Sequence, residues 1–374
     1  REDLVSYQIE TLDTLQDSDP HITMPITGFI KFLLSKYDTV GVYSFYERRR
    51  EDMKLIDLHC DTICKLMDQD KKGSLMENDC SIRIPAMRQA GTKAQFFACF
   101  TCAEAFENRG GYDGAYEHVA EMTAFLKKQT ALFADDISLA TSYKEMEENE
   151  RHGRISAFLT VEESGILNGN MERLENLYRQ GVRLMTLMWN YENCLGYPNS
   201  REPSVMRRGL QPFGVEVVQR MNELGMLIDV SHASDGVFWD VLEYSRMPVM
   251  ASHSNCRELC SHPRNLSDEM IRALADAGGI AGLNFYGPFL GTEDESRIEE
   301  MTRHILHMLD IGGSEFPAIG TDFDGFDGMT RMEIPDAGKM GLLWDALKKR
   351  GVSERQLDKI WGENAERLCR QILQ

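Results

Sequence analysis

The sequence predicts an α/β fold, a single (β/α)8 barrel, and three observations point to it. Eight short apolar runs recur along the chain, most of them bounded by turn or capping residues. Segments with helical spacing of apolar residues separate most of these runs. His59, Asp61, Glu162, His232, His253 and Asp322, all residue types that bind metals, stand at or just after the ends of the runs. Parallel strands closed into a barrel explain that placement, because their carboxyl ends converge on one face where distant loop residues meet. An open, doubly wound sheet gathers its site at one crevice, and accounts less well for residues spread over the first, third, fifth, sixth and eighth runs.

In chain order the runs are 55–58, 94–100, 155–161, 182–188, 226–230, 248–251, 279–285 and 317–320. Helical spacing appears over 171–180, 213–224, 237–244 and 267–277. Ser267 followed by Asp268 and Glu269 reads as a helix start, since a cap oxygen and early acids satisfy free amides and the helix dipole. Two closing helices are expected over 340–349 and 354–373, so residues 53–374 form one barrel domain. Residues 1–52 do not fit this pattern. They read as an N-terminal extension ending in Glu47-Arg48-Arg49-Arg50-Glu51-Asp52, whose codons can resemble a ribosome-binding site. The expectation is a natural start at Met53.

Composition narrows the function classes. With 42% hydrophobic and 27% charged residues, the 374-residue chain is globular and long enough to bury a large core. A formal charge of -19 argues against nucleic acid or an anionic membrane as partner. No apolar stretch reaches bilayer length, and the expected location is cytoplasmic. Nine cysteines at irregular spacing fit reduced thiols. The lone pair Cys99 and Cys102 lacks a second CxxC, so small packed side chains are expected there rather than a zinc ribbon.

His59-x-Asp61 places two ligands on one side of a strand end. Imidazole nitrogen with carboxylate oxygen suits zinc or another divalent transition metal. Glu162 follows an apolar run, where a carboxylate is costly unless paired or metal-bound, and a bidentate carboxylate can bridge two cations. Its neighbour Glu163 competes for that role, and spacing does not choose between them. His232 and His253 end successive runs in matching positions. Three histidines and two carboxylates suffice for two metals. Asp322 in Gly320-Thr321-Asp322-Phe323-Asp324-Gly325 is the candidate for passing the proton of an activated water. Asp324 is expected to bind backbone amides of that Gly-rich turn, and Arg264 to pair with a substrate carboxylate.

Taken together, these residues resemble the renal or membrane dipeptidase family of zinc hydrolase barrels. The resemblance covers the chain from about Leu55 onward, through Asp57-Leu58-His59-Cys60-Asp61, Val161-Glu162, Ile228-Asp229-Val230-Ser231-His232, Ser252-His253-Ser254, Arg264-Asn265, Asn284-Phe285-Tyr286 and the Asp322 motif. It implies a metal-dependent hydrolase barrel holding two zinc ions, one on His59, Asp61 and Glu162, the other on Glu162, His232 and His253. By resemblance Glu162 is the bridge, Asp322 the proton-transfer acid, Arg264 the anchor for the dipeptide carboxylate, and Tyr286 a lining residue. The implied reaction is hydrolysis of dipeptides, including those with a C-terminal D-residue, by water activated between the metals. Family members often pair as homodimers.

One departure stands out. Better-known membrane-bound members carry a histidine just after the fourth strand that contacts the substrate, and this chain has Trp189-Asn190 there. Indole donates a hydrogen bond but carries no proton charge at neutral pH. Trp189 and Asn190 therefore count as candidate substrate contacts that replace it. Two other functions compete: a different amide or cyclic-amide hydrolase of the same barrel superfamily, and a metal-binding protein without catalysis.

Overall fold

The computed structural model describes residues 53–68 and 73–374. The extension expected over 1–52 lies outside the described residues. Eight parallel strands form a closed ring: β1 (Leu55–Cys60), β2 (Thr92–Phe100), β3 (Ile155–Glu162), β4 (Val182–Thr186), β5 (Leu227–Asp229), β6 (Met250–Ala251), β7 (Ile280–Leu283) and β8 (Pro317–Ile319). Each pairs with the next in sequence, and β8 returns to β1 through Asp57 opposite Ile319. The β2 to β3 register runs unbroken from Ala94 opposite Ser156 to Phe100 opposite Glu162. That pairing leaves no open edge, so the doubly wound alternative is excluded.

Helices follow the strands, as in Met171–Arg179, Pro212–Leu224, Asp235–Tyr244 and Asp268–Asp276. Ser267 caps the last of these by accepting from the Met270 amide, with Asp268 and Glu269 in the first turn as the sequence predicts. A short strand, Ile137–Leu139, pairs with the start of β3 outside the ring. Three residues are too few to show a pattern in sequence. The expected closing helix is broken into Glu354–Asp358 and Asn364–Ile372 by a π-turn at Lys359–Glu363. The wider turn seats Gly362 against the chain entering β1, where a Cβ would meet the Lys54 carbonyl at 2.2 Å. Among the described residues no helix is long and apolar enough to cross a membrane.

Apolar residues on alternate strand positions fill the barrel, among them Ile56, Leu58, Phe96, Phe158, Leu184, Leu227, Met250 and Ile280, and Leu368 and Ile372 close its lower end. Phe96 and Phe158 stack there with ring centroids 4.6 Å apart. Above this floor the inner positions turn polar.

The change of character in β1 depends on a bulge. Ile56 and Leu58 belong to the inner cluster, so strict alternation would turn His59 outward. Between Asp57 opposite Gln95 and Cys60 opposite Phe97, β1 spends one residue more than β2. Cys60 then joins the outer core, and His59 and Asp61 swing to the inner face.

Candidate metal centre

Nitrogen and oxygen atoms from β1, β3, β5, β6 and β8 converge at the carboxyl end of the barrel. Glu162 stands between two groups. Its Oε2 lies 3.2 Å from His59 Nε2, and its Oε1 lies 3.1 Å from His232 Nε2 and 3.6 Å from His253 Nε2. Asp61 Oδ2 is 3.2 Å from His59 Nε2. The triads His59, Asp61, Glu162 and Glu162, His232, His253 each keep all their donor atoms within 4.8 Å of one another, and Asp322 approaches His59 and His253 in a third such group. His59, Asp61, Glu162 and His253 are buried. The rings of His59 and His253 stack at 3.9 Å.

Beneath these candidate ligands lies a layer of buried hydrogen bonds. Ser252 Oγ donates to Asp229 Oδ2 at 2.6 Å and lies 2.7 Å from His253 Nδ1. Since that hydroxyl's proton is committed to Asp229, His253 Nδ1 carries its own proton and its Nε2 lone pair faces Glu162. Asp229 also accepts from the Thr186 hydroxyl and from the Ser231 and Ser252 amides. Asp57 plays the same part between β1 and β8, accepting from the Thr321 amide at 2.9 Å, the Thr321 hydroxyl at 2.8 Å and Gln95 at 3.1 Å. Neither aspartate stood out in sequence reading. A carboxylate inside an apolar run was the signal that could have found them.

The electrostatics favour a cation. Burial, with Arg264 nearby, lowers His232 to about 4, and burial, with His59 and Arg264, holds His253 well below its ordinary value. Both present neutral imidazole. Burial alone would raise the Glu162 carboxyl, but His59 and His232 carry it well below the usual carboxylate range. Asp61 Oδ1 is buried with no hydrogen-bond partner among the described residues. His59 is the opposite case: burial would lower it, but Glu162 and Asp61 raise it well above its ordinary value, so a cation bound there would take the place of its proton. The neutral imidazoles of His232 and His253, the ionised Glu162 carboxylate and an unpartnered buried oxygen fit divalent cations.

Asp322 lies at the rim, its Oδ1 3.9 Å from His59 Nε2 and its Oδ2 accepting from Asn284 Nδ2 at 2.9 Å. Burial raises its carboxyl to about 7, with Asp61 and Glu162 adding to the shift. His232 and Asp322, the first site residues beyond β5 and β8, adopt left-handed backbone at φ 66° and 60°. Non-glycine residues held there cost about 1–3 kcal/mol each, which the surrounding contacts must offset. Gly325 packs against this corner, since a Cβ on it would meet Asp322 Oδ1 at 2.3 Å and Asp61 Oδ2 at 2.4 Å.

The remaining expected residues are placed as follows. Glu163 points away from the cluster, accepting from the Gly165 amide at 2.5 Å, the Trp189 amide at 3.2 Å and Asn193 Nδ2 at 3.1 Å, and burial raises it to about 7. Asn190 Oδ1 lies 3.1 Å from His232 Nδ1. Trp189 packs edge-on to Phe100 at 4.8 Å and to Tyr191 at 5.2 Å, with its ring 6.4 Å from that of His232. Across the mouth Tyr286 meets Phe289 at 4.9 Å and Phe326 at 5.1 Å. Arg264 is buried, donating to Ser254 Oγ at 2.5 Å and to the His253 carbonyl at 2.9 Å, and its Nε has no partner among the described residues.

Asp324 does bind a backbone amide, but that of Ser81 at 2.9 Å, together with the Thr62 hydroxyl at 2.6 Å. It ties the last loop to loops that follow β1 instead of closing its own turn. Cys99 contacts Thr123 and Cys102 contacts Tyr191, so the CxxC pair diverges, and both are free thiols.

Known proteins share this fold. Residues 45–374 match the profile of the family described as Membrane dipeptidase (Peptidase family M19). An uncharacterised protein in the pqqA 5′ region of Klebsiella pneumoniae is 31% identical over 264 residues, covering 68% of this chain and 96% of that protein. Dipeptidase verJ of Clonostachys rogersoniana is 34% identical over 237 residues, 63% of this chain and 60% of that protein. Among solved structures, a metallo peptidase from Rhodobacter sphaeroides, bound to a phosphinate mimic of L-Ala-D-Ala, superposes with a TM-score of 0.75 at 22% identity over 86% of this chain and 99% of that one. A dipeptidase of family M19 superposes with a TM-score of 0.77 at 23% identity and the same coverage, 86% and 99%. With the barrel closed and the candidate ligands gathered as described, the chain belongs to the membrane dipeptidase family, peptidase family M19, and is a metal-dependent hydrolase acting on dipeptides.

Proposed function

We propose that the protein hydrolyses dipeptides with two zinc ions, His59, Asp61 and Glu162 holding one and Glu162, His232 and His253 the other. The observation that carries this reading is the position of Glu162, with one carboxylate oxygen 3.2 Å from His59 and the other 3.1 Å from His232. A pair of divalent ions bound there supplies a Lewis acid for the peptide carbonyl and brings the pKa of a water near neutrality.

The protein's own groups do the rest. Asp322, raised to about 7, takes the proton of the attacking water and returns it to the leaving amine. Asn284 keeps its other oxygen occupied, so the free oxygen faces the reaction. Arg264, a buried cation held by Ser254 and the His253 carbonyl, anchors the substrate carboxylate, where a charge-assisted bond is strong. Trp189 and Tyr286 form opposing walls for the two side chains of a dipeptide, and Asn190 Nδ2 donates to a substrate carbonyl. No serine or cysteine is needed as nucleophile. A C-terminal D-residue is accepted, a reading supported by the L-Ala-D-Ala mimic in the Rhodobacter sphaeroides structure.

The test is release of amino acids from paired L,L and L,D dipeptides by chelated and zinc-reloaded protein, with the metal content measured in parallel. Two equivalents of zinc with activity restored on reloading is the expected result. Full turnover in metal-free protein would overturn the proposal.

A further inference from the structure

We infer that Asn190 is a positioning residue for His232, and that retention of the ion held by Glu162, His232 and His253 depends on it. The inference rests on the two-metal reading above. His232 Nε2 faces Glu162 Oε1 at 3.1 Å and His253 Nε2 at 3.1 Å. A neutral imidazole has one N–H, and an Nε2 lone pair is open to a cation only when the proton sits on Nδ1. That proton needs an acceptor, and Asn190 Oδ1 stands 3.1 Å away. Groups that accept from the distal nitrogen of a ligating histidine fix its tautomer and ring angle, and losing one typically weakens metal binding about 10- to 100-fold.

The segment carrying Asn190 is itself anchored. The amide of Trp189 donates to Glu163 Oε2, and Glu163 is buried and held by Gly165 and Asn193. The residue next to the shared ligand Glu162 thus fixes the chain that orients a second ligand. His232 needs this help because it sits on left-handed backbone at φ 66°, outside the regular strand.

The two imidazoles of this ion are supported unequally. His253 rests on the Ser252 hydroxyl and, through it, on the Asp229 carboxylate, all buried. His232 rests on one neutral amide that is exposed to solvent. Asn190 is therefore where this half of the site is most easily loosened without disturbing the fold.

Wild-type, Asn190→Ala and Asn190→Asp proteins should be stripped and titrated with zinc against a chromophoric chelator, with melting curves to confirm folding and visible spectra of the cobalt-loaded forms. The expected result is that Asn190→Ala loses about tenfold or more in affinity for one of two ions, keeps the other and shows an altered cobalt spectrum, while Asn190→Asp holds both at least as well as wild type. Wild-type affinity for both ions in Asn190→Ala overturns this inference alone. Equal weakening in Asn190→Asp also overturns it, since a general packing role would explain both. Failure of the wild-type protein to take up a second ion overturns the two-metal reading together with it.

Discussion

Gly325 lies so close to Asp322 that a side chain of a single carbon would come within 2.3 Å of the carboxylate Oδ1, and within 2.4 Å of Asp61 Oδ2 on its other side. Two carboxylates, one a candidate ligand and one the candidate proton carrier, are thus seated against one backbone position. Gly325→Ala should displace both. The expected outcome is turnover down at least tenfold, with weakened zinc binding seen by chelator competition and with the barrel still folded by circular dichroism.

Asp322→Asn keeps the shape and the Asn284 contact but cannot accept a proton. Turnover should fall by about two orders of magnitude or more, while metal content by elemental analysis stays at the wild-type level. Unchanged turnover would remove Asp322 from the reaction.

Trp189 is held by Phe100, Tyr191 and the Glu163 contact to its amide, so in the proposed pocket it is a fixed wall rather than a mobile flap. Trp189→Ala should raise KM for dipeptides with large apolar side chains by about 3- to 10-fold, the worth of about 1 kcal/mol of lost apolar contact, and leave glycine-containing dipeptides nearly unaffected. Steady-state kinetics over a side-chain series reads the difference.

His304 gives a pH signature independent of the metal centre. It is buried on the helix Ile298–Gly312, its Nδ1 3.1 Å from the Cys256 amide and its Nε2 3.1 Å from the Leu290 carbonyl. Burial, with Arg303 and His307 nearby, lowers it to about 4, against about 6.5 when unfolded. The folded state binds fewer protons between those values. Its contribution is therefore complete above pH 6.5 and lost as pH falls toward 4, about 3 kcal/mol in all as an upper bound. Denaturant titrations from pH 4 to 7 should show a shallower acid loss in His304→Gln than in wild type.

All eight ring strands were legible because parallel barrel strands, covered on both faces, read as apolar runs ended by turns. The cluster of His59, Asp61, Glu162, His232 and His253 was legible for a related reason, since polar metal-binding types are rare at the ends of such runs. Pairing remained hidden. Spacing did not separate Glu162 from Glu163, which differ only in strand parity. Glu162 shares the inward parity of Phe158 and enters the cluster, while Glu163 begins the next turn. The contact of Asn190 with His232 was hidden as well, because its partner is 42 residues away in sequence. The π-turn at Lys359–Glu363 was equally hidden, since it answers the carbonyl of Lys54 rather than any local pattern.

The extra residue that β1 spends opposite Gln95 and Phe97 acts as a switch of phase for His59 and Asp61, the first pair of candidate ligands. Removing one residue there would leave the hydrophobic count of the barrel almost unchanged while pointing an imidazole and a carboxylate into the surrounding helices. The proposed first-ion site thus depends on this one inserted residue, because without it His59 and Asp61 would face the apolar outer core.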